Sequence, residues 1–411
     1  MLETLIKARH VLAWHQGTLF GPYLDGFVEA LAAQDFNQHS ICQRVCAVTW
    51  FAEYLRPRGV HVISDITESH VRDFASAQGK ERGIYCIPQR RKAVKDMLAY
   101  LERRGAWTRP PKPEATGPVA DFLRALATER GLVCRSIEPY RRYLSHFLEH
   151  AQCDGTREGL AKLTADDLDG FILKMGRCYG RRTMGCICVC IRGLLRYLYR
   201  EGILASDLSA MAPRPRYYAF ERLPCALPWE TVQRILDVVD TTRPRGRRDY
   251  AMLKLLVTYG LRAGEINKLQ LQDIDWRRDL IHVRRSKAGR PLTLPLSRDV
   301  GEAVLAYLRK GRPKTKCREL FVRVQAPHTA LRIATGGMVT LYMRKAGIES
   351  VRTGAHVIRH SFAVHLLRQG KPLKTITDLL GHRDPFTAYH YTKLALEDLH
   401  DVALPVTEVM P

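Results

Sequence analysis

One stretch of this chain occurs twice. Phe27-Val28-Glu29-Ala30-Leu31 returns as Phe122-Leu123-Arg124-Ala125-Leu126, and Ile66-Thr67, Val71 and Phe74 return as Leu163-Thr164, Leu168 and Phe171. Leu98, Tyr100, Leu101 and Gly105 return as Leu195, Tyr197, Leu198 and Gly202. The first match is displaced by 95 residues and the other two by 97, so one register runs through the whole unit. A unit of that length can bury its own core. The first half of the chain is therefore expected to fold as two versions of one module. Within each version the apolar residues recur every three or four positions, as in Val45, Val48, Phe51 and Leu55, or Tyr140, Leu144 and Phe147, with Leu148 four after Leu144. That is a helical period. Thr67 and Thr164 stand where an N-cap belongs, so each module reads as a bundle of about four short helices. Pro110, Pro111, Lys112 and Pro113 make a stiff spacer, and the stretches 213–218 and 224–228 mark a second boundary. The expected division is 1–107, 118–215 and 224–411.

Charge narrows the choice of partner. Lys+Arg number 65 against 42 Asp+Glu, a net +23, and such a surplus points to a polyanion, nucleic acid ahead of acidic membrane. No run of about 18 apolar residues is present to span a bilayer. The first twenty residues carry Glu3, Lys7, Arg9 and His10 among their apolar positions, unlike a signal peptide. The expectation is a cytoplasmic protein, associated with the nucleoid when bound to DNA, with its 11 cysteines reduced. Cys186, Cys188 and Cys190 lie two apart inside an apolar helical run, so they point to different sides and read as small core side chains. No metal and no cofactor is expected.

Basic residues fall at comparable places in the two modules, Arg90, Arg91, Lys92 and Lys95 in the first and Arg177, Arg181 and Arg182 in the second, the latter with Tyr179. Long cations there can reach phosphates, and an aromatic ring can pack on a sugar or base. A further basic stretch, Arg243, Arg245, Arg247 and Arg248, reads as a solvated loop.

The last third has a different texture. An apolar helix over 249–259 ends at Gly260, in the run Gly260-Leu261-Arg262-Ala263-Gly264-Glu265. Glycine permits a helix-ending conformation, which puts Arg262 at a junction. Two short strands, 281–284 and 292–296, flank a turn that carries Lys287. His356-Val357-Ile358-Arg359-His360 opens another apolar helix. Leu379-Leu380-Gly381-His382 follows, and Tyr391 comes nine residues after His382.

These segments, in this order over about 130 residues, resemble the tyrosine recombinase (phage integrase) family. The resemblance implies a mainly α fold with a small antiparallel β-sheet. It has two tandem helical SAM-like DNA-binding modules followed by the catalytic domain, modules and domain closing around duplex DNA from opposite faces. It also implies a 3′-phosphotyrosine intermediate on Tyr391, with Lys287 as acid toward the leaving 5′-oxygen and His356 as proton-transfer partner of the tyrosine. His382 is then a hydrogen-bond donor to the phosphate, and Glu265 orients its basic neighbours. By the same resemblance the partners are double-stranded DNA and three further protomers, a homotetramer on two synapsed sites, alone or with related recombinases. The segment 394–410 is the piece exchanged between neighbours. Residues 1–107 are an addition to the simplest members. Tyr389 competes with Tyr391, and the nine-residue step favours the latter.

Elementary chemistry agrees with that implication. Two guanidiniums, Arg262 and Arg359, can grip the non-bridging oxygens of a phosphate and hold them harder as charge builds in the transition state. A phenol of pKa ~10 needs such cations to attack as a phenolate. A phosphotyrosine ester keeps the energy of the broken bond, so rejoining needs no ATP. The reading is a site-specific DNA recombinase serving integration or transposition of a mobile element. Its rivals are an architectural DNA-binding protein with a relic site, a type IB-like topoisomerase, and metal-dependent strand transfer. The last needs paired carboxylates, which Asp273, Asp275, Asp279 and Glu302 do not suggest.

Overall fold

Capping decides where the repeated helices begin. In the computed structural model, which describes residues 2–77, 87–109, 116–216, 225–285, 291–331 and 334–381, Thr164 and Asp167 form a reciprocal capping box: Thr164 N donates to Asp167 Oδ2 (2.9 Å), and Asp167 N donates to Thr164 Oγ1 (3.3 Å). Thr67 is bonded in the same way, with His70 in the place of the aspartate. Thr67 N donates to His70 Nδ1 (3.2 Å), and His70 N donates to Thr67 Oγ1 (3.4 Å). Each pair satisfies backbone donors that the first turn leaves without intrahelical partners.

The chain divides into two compact units, Met1–Arg109 with Arg222–Pro411, and Pro110–Glu221. The first module, within the larger unit, contains α1 (Leu2–Leu5), α2 (Arg9–Gln16), α3 (Gly21–Ala32), α4 (Gln38–Leu55), α5 (Glu68–Ala77) and α6 (Ile87–Arg103). The smaller unit contains α7 (Pro118–Thr128), α8 (Cys134–His150), α9 (Arg157–Ala161), α10 (Ala165–Cys178) and α11 (Arg181–Arg200). The expected four helices are the longer ones of each set, α3–α6 and α7, α8, α10 and α11. Additional short helices, α1 and α2 in one and α9 in the other, escaped the sequence because each is too short to show a period.

The repeat extends to individual side chains. Phe51 packs on Phe74 with ring centroids 5.1 Å apart, and Phe147 on Phe171 at 5.3 Å. Phe27 meets Tyr100 at 5.8 Å, and Phe122 meets Tyr197 at 5.4 Å. Gly105 and Gly202 both end their helix in the left-handed region, at φ 69° and 63°. Aromatic pairs in matching places are the core of each bundle, and burying them supplies most of the driving force. In α11, Cys188 and Cys190 are buried whereas Cys186 is exposed, and burial pushes the Cys190 thiol up to about 12.

The rest of the larger unit consists of α12 (Trp229–Asp237), α13 (Pro244–Tyr259), α14 (Ala263–Ile266), β1 (Ile274–Asp275), β2 (Leu280–Val283), β3 (Leu292–Pro295), α15 (Arg298–Lys310), α16 (Ala334–Lys345), α17 (Ala355–Arg368) and α18 (Leu373–Leu380). The strands form one antiparallel sheet in the order β1-β2-β3, with Ile281 opposite Leu294 and Val283 opposite Leu292. The two expected strands are present; two-residue β1 was not anticipated. The core of this part is built on α13, with Leu253, Leu256, Ile266, Ile281, Val304, Tyr307, Phe321 and Ile358 all buried. Residues 1–109 keep a separate core, against which Ala326 packs.

The basic stretch 243–248 is not a solvated loop. Pro244 occupies the first turn of α13, where a missing N–H costs nothing, and so the helix starts five residues earlier than its apolar pattern. Arg248 is buried and donates twice to the fully buried Asp249, at 2.9 and 2.7 Å, and once to Val322 O at 3.2 Å. None of the described helices is long and apolar enough to cross a membrane.

Candidate active site

Gly260 ends α13 in the left-handed region (φ 59°), and this single residue turns the chain so that Arg262 becomes the N-cap of α14. A side chain at 260 would collide with the Phe362 ring and lie 3.1 Å from Leu380 Cδ2, so only glycine fits. Glu265, buried in α14, locks the arginine. Its Oε2 accepts from Arg262 N (2.9 Å) and its Oε1 from Arg262 Nη1 (2.9 Å). Arg262 Nη2 donates to Gly381 O at 3.2 Å. The guanidinium is about a quarter exposed, and its five donors exceed the bonds it makes to described residues.

Arg359 reaches the same place from α17. It is 4% exposed, donates from Nη1 to Gly260 O (2.7 Å), and closes a short hydrogen bond from Nη2 to Leu380 O. A buried cation needs such partners, and helix-terminal carbonyls supply them with the dipole in their favour. One acceptor, Gly260 O, caps α13, and the other, Leu380 O, is the last carbonyl of α18, which stops at Gly381 with φ 64°. Arg262 and Arg359, 97 positions apart in sequence, are thus gathered on consecutive carbonyls at 380 and 381.

A third guanidinium, not singled out from sequence, joins them. Arg285 lies just past β2, and its Nη2 donates to Asp378 O (2.9 Å) and Leu379 O (3.2 Å). Burial and the nearby Arg262 press its pKa below the usual guanidinium range, with Glu265 and Asp378 opposing. Arginine remains charged regardless. The available signal was the alternation of cations at 285 and 287, a strand period carried into the turn.

His356 sits exposed in the first turn of α17, with its ring centroid 6.4 Å from that of His360. Lys287, His382 and Tyr391 lie outside the described residues, as do Tyr389 and the segment 394–410. The described part therefore brings together Arg262, Glu265 and Arg359, adds Arg285, and presents His356 on the surface. Tyr259 ties α13 to the hairpin: its hydroxyl donates to Pro295 O (2.7 Å) and accepts from Ser297 N (2.8 Å).

Among the module cations, Arg177 is exposed in the last turn of α10, and Arg181 and Arg182 are exposed in the first turn of α11, where the positive end of the helix dipole adds to their field. Tyr179 is beside them, edge-on to Tyr143. In the first module Arg91 is exposed and Lys92 half-buried, but Arg90 departs from the expectation. It is 3% exposed, with its guanidinium carbon 5.4 Å from the centre of the Trp50 ring. Ala93, Val94 and Met97 of the same helix are buried as well. The burial of Arg90 does not fit the exposed position expected of a phosphate contact.

Two family descriptions match: Phage integrase family over residues 226–397, and Phage integrase, N-terminal SAM-like domain over residues 119–202. The integrase/recombinase y4rA of Sinorhizobium fredii is 32% identical over 397 residues, covering 93% of each chain. Tyrosine recombinase XerD of Listeria innocua is 31% identical over 293 residues, 69% of this chain and 96% of the relative. Among solved structures, a lambda integrase tetramer bound to a Holliday junction is similar in fold (TM-score 0.53, 16% identity, 76% of this chain and 89% of that one).

Proposed function

Because the chain belongs to the phage integrase family of tyrosine recombinases, enzymes that break and rejoin DNA, we propose that Tyr391 is its nucleophile in site-specific recombination of a mobile element. The observation that carries this reading is the gathering of Arg262 and Arg359 at the Gly381 turn, which in sequence leads directly into His382 and, nine residues later, Tyr391. Two fixed guanidiniums hold the non-bridging oxygens of one phosphate and stabilise the charge that accumulates as the attack proceeds. Glu265 keeps Arg262 in place, so little reorganisation is needed at the moment of reaction.

In the proposed step the Tyr391 oxygen forms a bond to phosphorus as the bond to the 5′-oxygen breaks. The phenol proton passes to His356, and Lys287 donates a proton to the leaving oxygen. Attack by a 5′-hydroxyl from another strand reverses the sequence and rejoins DNA. The exposed Arg177, Arg181, Arg182 and Arg91 are proposed phosphate contacts. Four protomers acting on two sites, the same number as in the lambda integrase tetramer bound to a Holliday junction, and a cytoplasmic setting complete the proposal. So does the division into domains 1–107, 118–215 and 224–411.

The test uses DNA from the flanks of the coding region, nicked close to the cleavage point so that a short fragment diffuses away and rejoining fails. In the presence of a chelator the protein should become covalently attached to DNA, and Tyr391→Phe should abolish attachment. An adduct that persists in Tyr391→Phe, or that disappears with chelator, overturns the proposal.

A further inference from the structure

One side chain bridges the β2–β3 hairpin and the end of α18. Arg285 leaves the hairpin two residues after Val283, the last residue of β2, and its Nη2 binds the carbonyls of Asp378 and Leu379 at 2.9 and 3.2 Å. Those carbonyls belong to the final turn of α18, where carbonyls run short of i+4 backbone donors; Asp378 O also accepts from Gly381 N at 3.1 Å. The contact depends on the residue at 381. A Cβ at Gly381 would overlap Arg285 Nη1 and Cζ, so the guanidinium lies where only glycine leaves space. Arg262 binds the carbonyl of that same glycine, at 3.2 Å. The hairpin, the α18 terminus and the Arg262 guanidinium thus share one point of contact.

The chain on either side of this bridge is informative. Lys287 follows Arg285 by two residues, and His382 follows Gly381 directly. An acid must be held within reach of its leaving group to donate a proton in the transition state. We infer that Arg285 is a positioning residue: it holds the Lys287 turn in register with the Gly381–His382 turn, so that proton donation to the 5′-oxygen occurs in the geometry in which the phosphate is bound. This inference rests on the acid role of Lys287 proposed above.

A substrate with sulfur in place of the bridging 5′-oxygen separates positioning of the acid from other effects. When its P–S bond breaks, the electron pair leaves on sulfur as a thiolate, which needs no proton near neutral pH. Cleavage of oxygen and sulfur substrates by the full chain is measured for the wild type, Lys287→Ala, Arg285→Ala and Arg285→Lys, together with DNA affinity. Arg285→Ala should cleave the oxygen substrate on the order of 10²-fold more slowly, the cost of misplacing a reacting group by about 1 Å. The sulfur substrate should restore most of that loss, as it does for Lys287→Ala, with DNA affinity unchanged. Arg285→Lys, which keeps the charge and can bind one carbonyl, should fall between; it carries the same comparison if the alanine variant does not fold. Equal losses on both substrates for the Arg285 variants, with Lys287→Ala rescued, would overturn the inference and leave the acid intact. Wild-type cleavage of the oxygen substrate by Arg285→Ala would do the same. Failure of the sulfur substrate to rescue Lys287→Ala removes the acid role itself and the inference with it.

Discussion

Replacing Gly260 by alanine should damage stability and catalysis together. The residue has φ 59°, and a left-handed alanine costs about 1–2 kcal/mol. The added Cβ would also overlap the Phe362 ring, lying 2.9 Å from its Cε1 and 3.1 Å from Leu380 Cδ2. Carbon atoms pack at roughly 3.5–4.0 Å, so the ring has to move by several tenths of an ångström or more. Phe362 is 7% exposed and Leu380 1%, which leaves it nowhere to go without strain of about 1–3 kcal/mol. The sum is about 2–5 kcal/mol, or a fall in melting temperature of roughly 4–20 °C for a folding unit of this size. Because Gly260 O holds Arg359 Nη1, the guanidinium should lose its place, and cleavage should fall even at temperatures where the protein is folded. Gly264→Ala is the control. Among the described residues nothing lies within 4 Å of the position its Cβ would take, and its φ is ordinary, so it should be neutral or stabilise by up to ~1 kcal/mol. Thermal melts and single-turnover cleavage of both variants decide the matter. Equal melting temperatures for the two would refute the reasoning from backbone and packing.

Three further outcomes follow from the same geometry. Glu265→Gln puts an amide where a carboxylate accepts from Arg262 N and Nη1; it should cost about 1–3 kcal/mol by denaturant unfolding, the low end being favoured because Arg262 is partly hydrated, and should slow cleavage about 10- to 100-fold. Arg359→Lys cannot span Gly260 O and Leu380 O, and single-turnover cleavage should drop on the order of 10²–10³-fold with the protein folded. His15 is buried with Nδ1 2.6 Å from Thr49 Oγ1, and burial lowers its pKa. Below pH ~6.5 the unfolded chain takes up a proton that the folded module resists, so stability present above that pH is lost as pH falls, at up to ~1.4 kcal/mol per unit. Urea melts followed by tryptophan fluorescence at pH 7.5 and 5.5 should show that loss, and His15→Gln should reduce it.

What the sequence revealed follows the reach of its physical signals. The module repeat was legible because core aromatics, capping threonines and terminal glycines all keep one register, and each answers to a local rule. Gly260 and Arg262 were legible for the same reason: a glycine after an apolar helix marks its end. Arg285 was not, since its partners at 378 and 379 are backbone carbonyls, which carry no side-chain signature, brought close only by the fold. Arg90 misled because an arginine looks the same in sequence whether it faces solvent or lies over a tryptophan. The run 243–248 misled because charge hides a helix start that Pro244 alone announced. Of the proposed site, the arginines, Glu265 and His356 have a described setting, whereas Lys287, His382 and Tyr391 rest on their positions in the sequence.

The proposed chemistry stands or falls on which atom becomes joined to DNA. Protein trapped on a nicked substrate can be digested with protease and nuclease, and the peptide that retains a nucleotide sequenced by mass spectrometry. One modified residue is expected, Tyr391, carrying a 3′-linked phosphate. A nucleotide on Tyr389, on a serine, or on no residue at all while strands are still exchanged would contradict it.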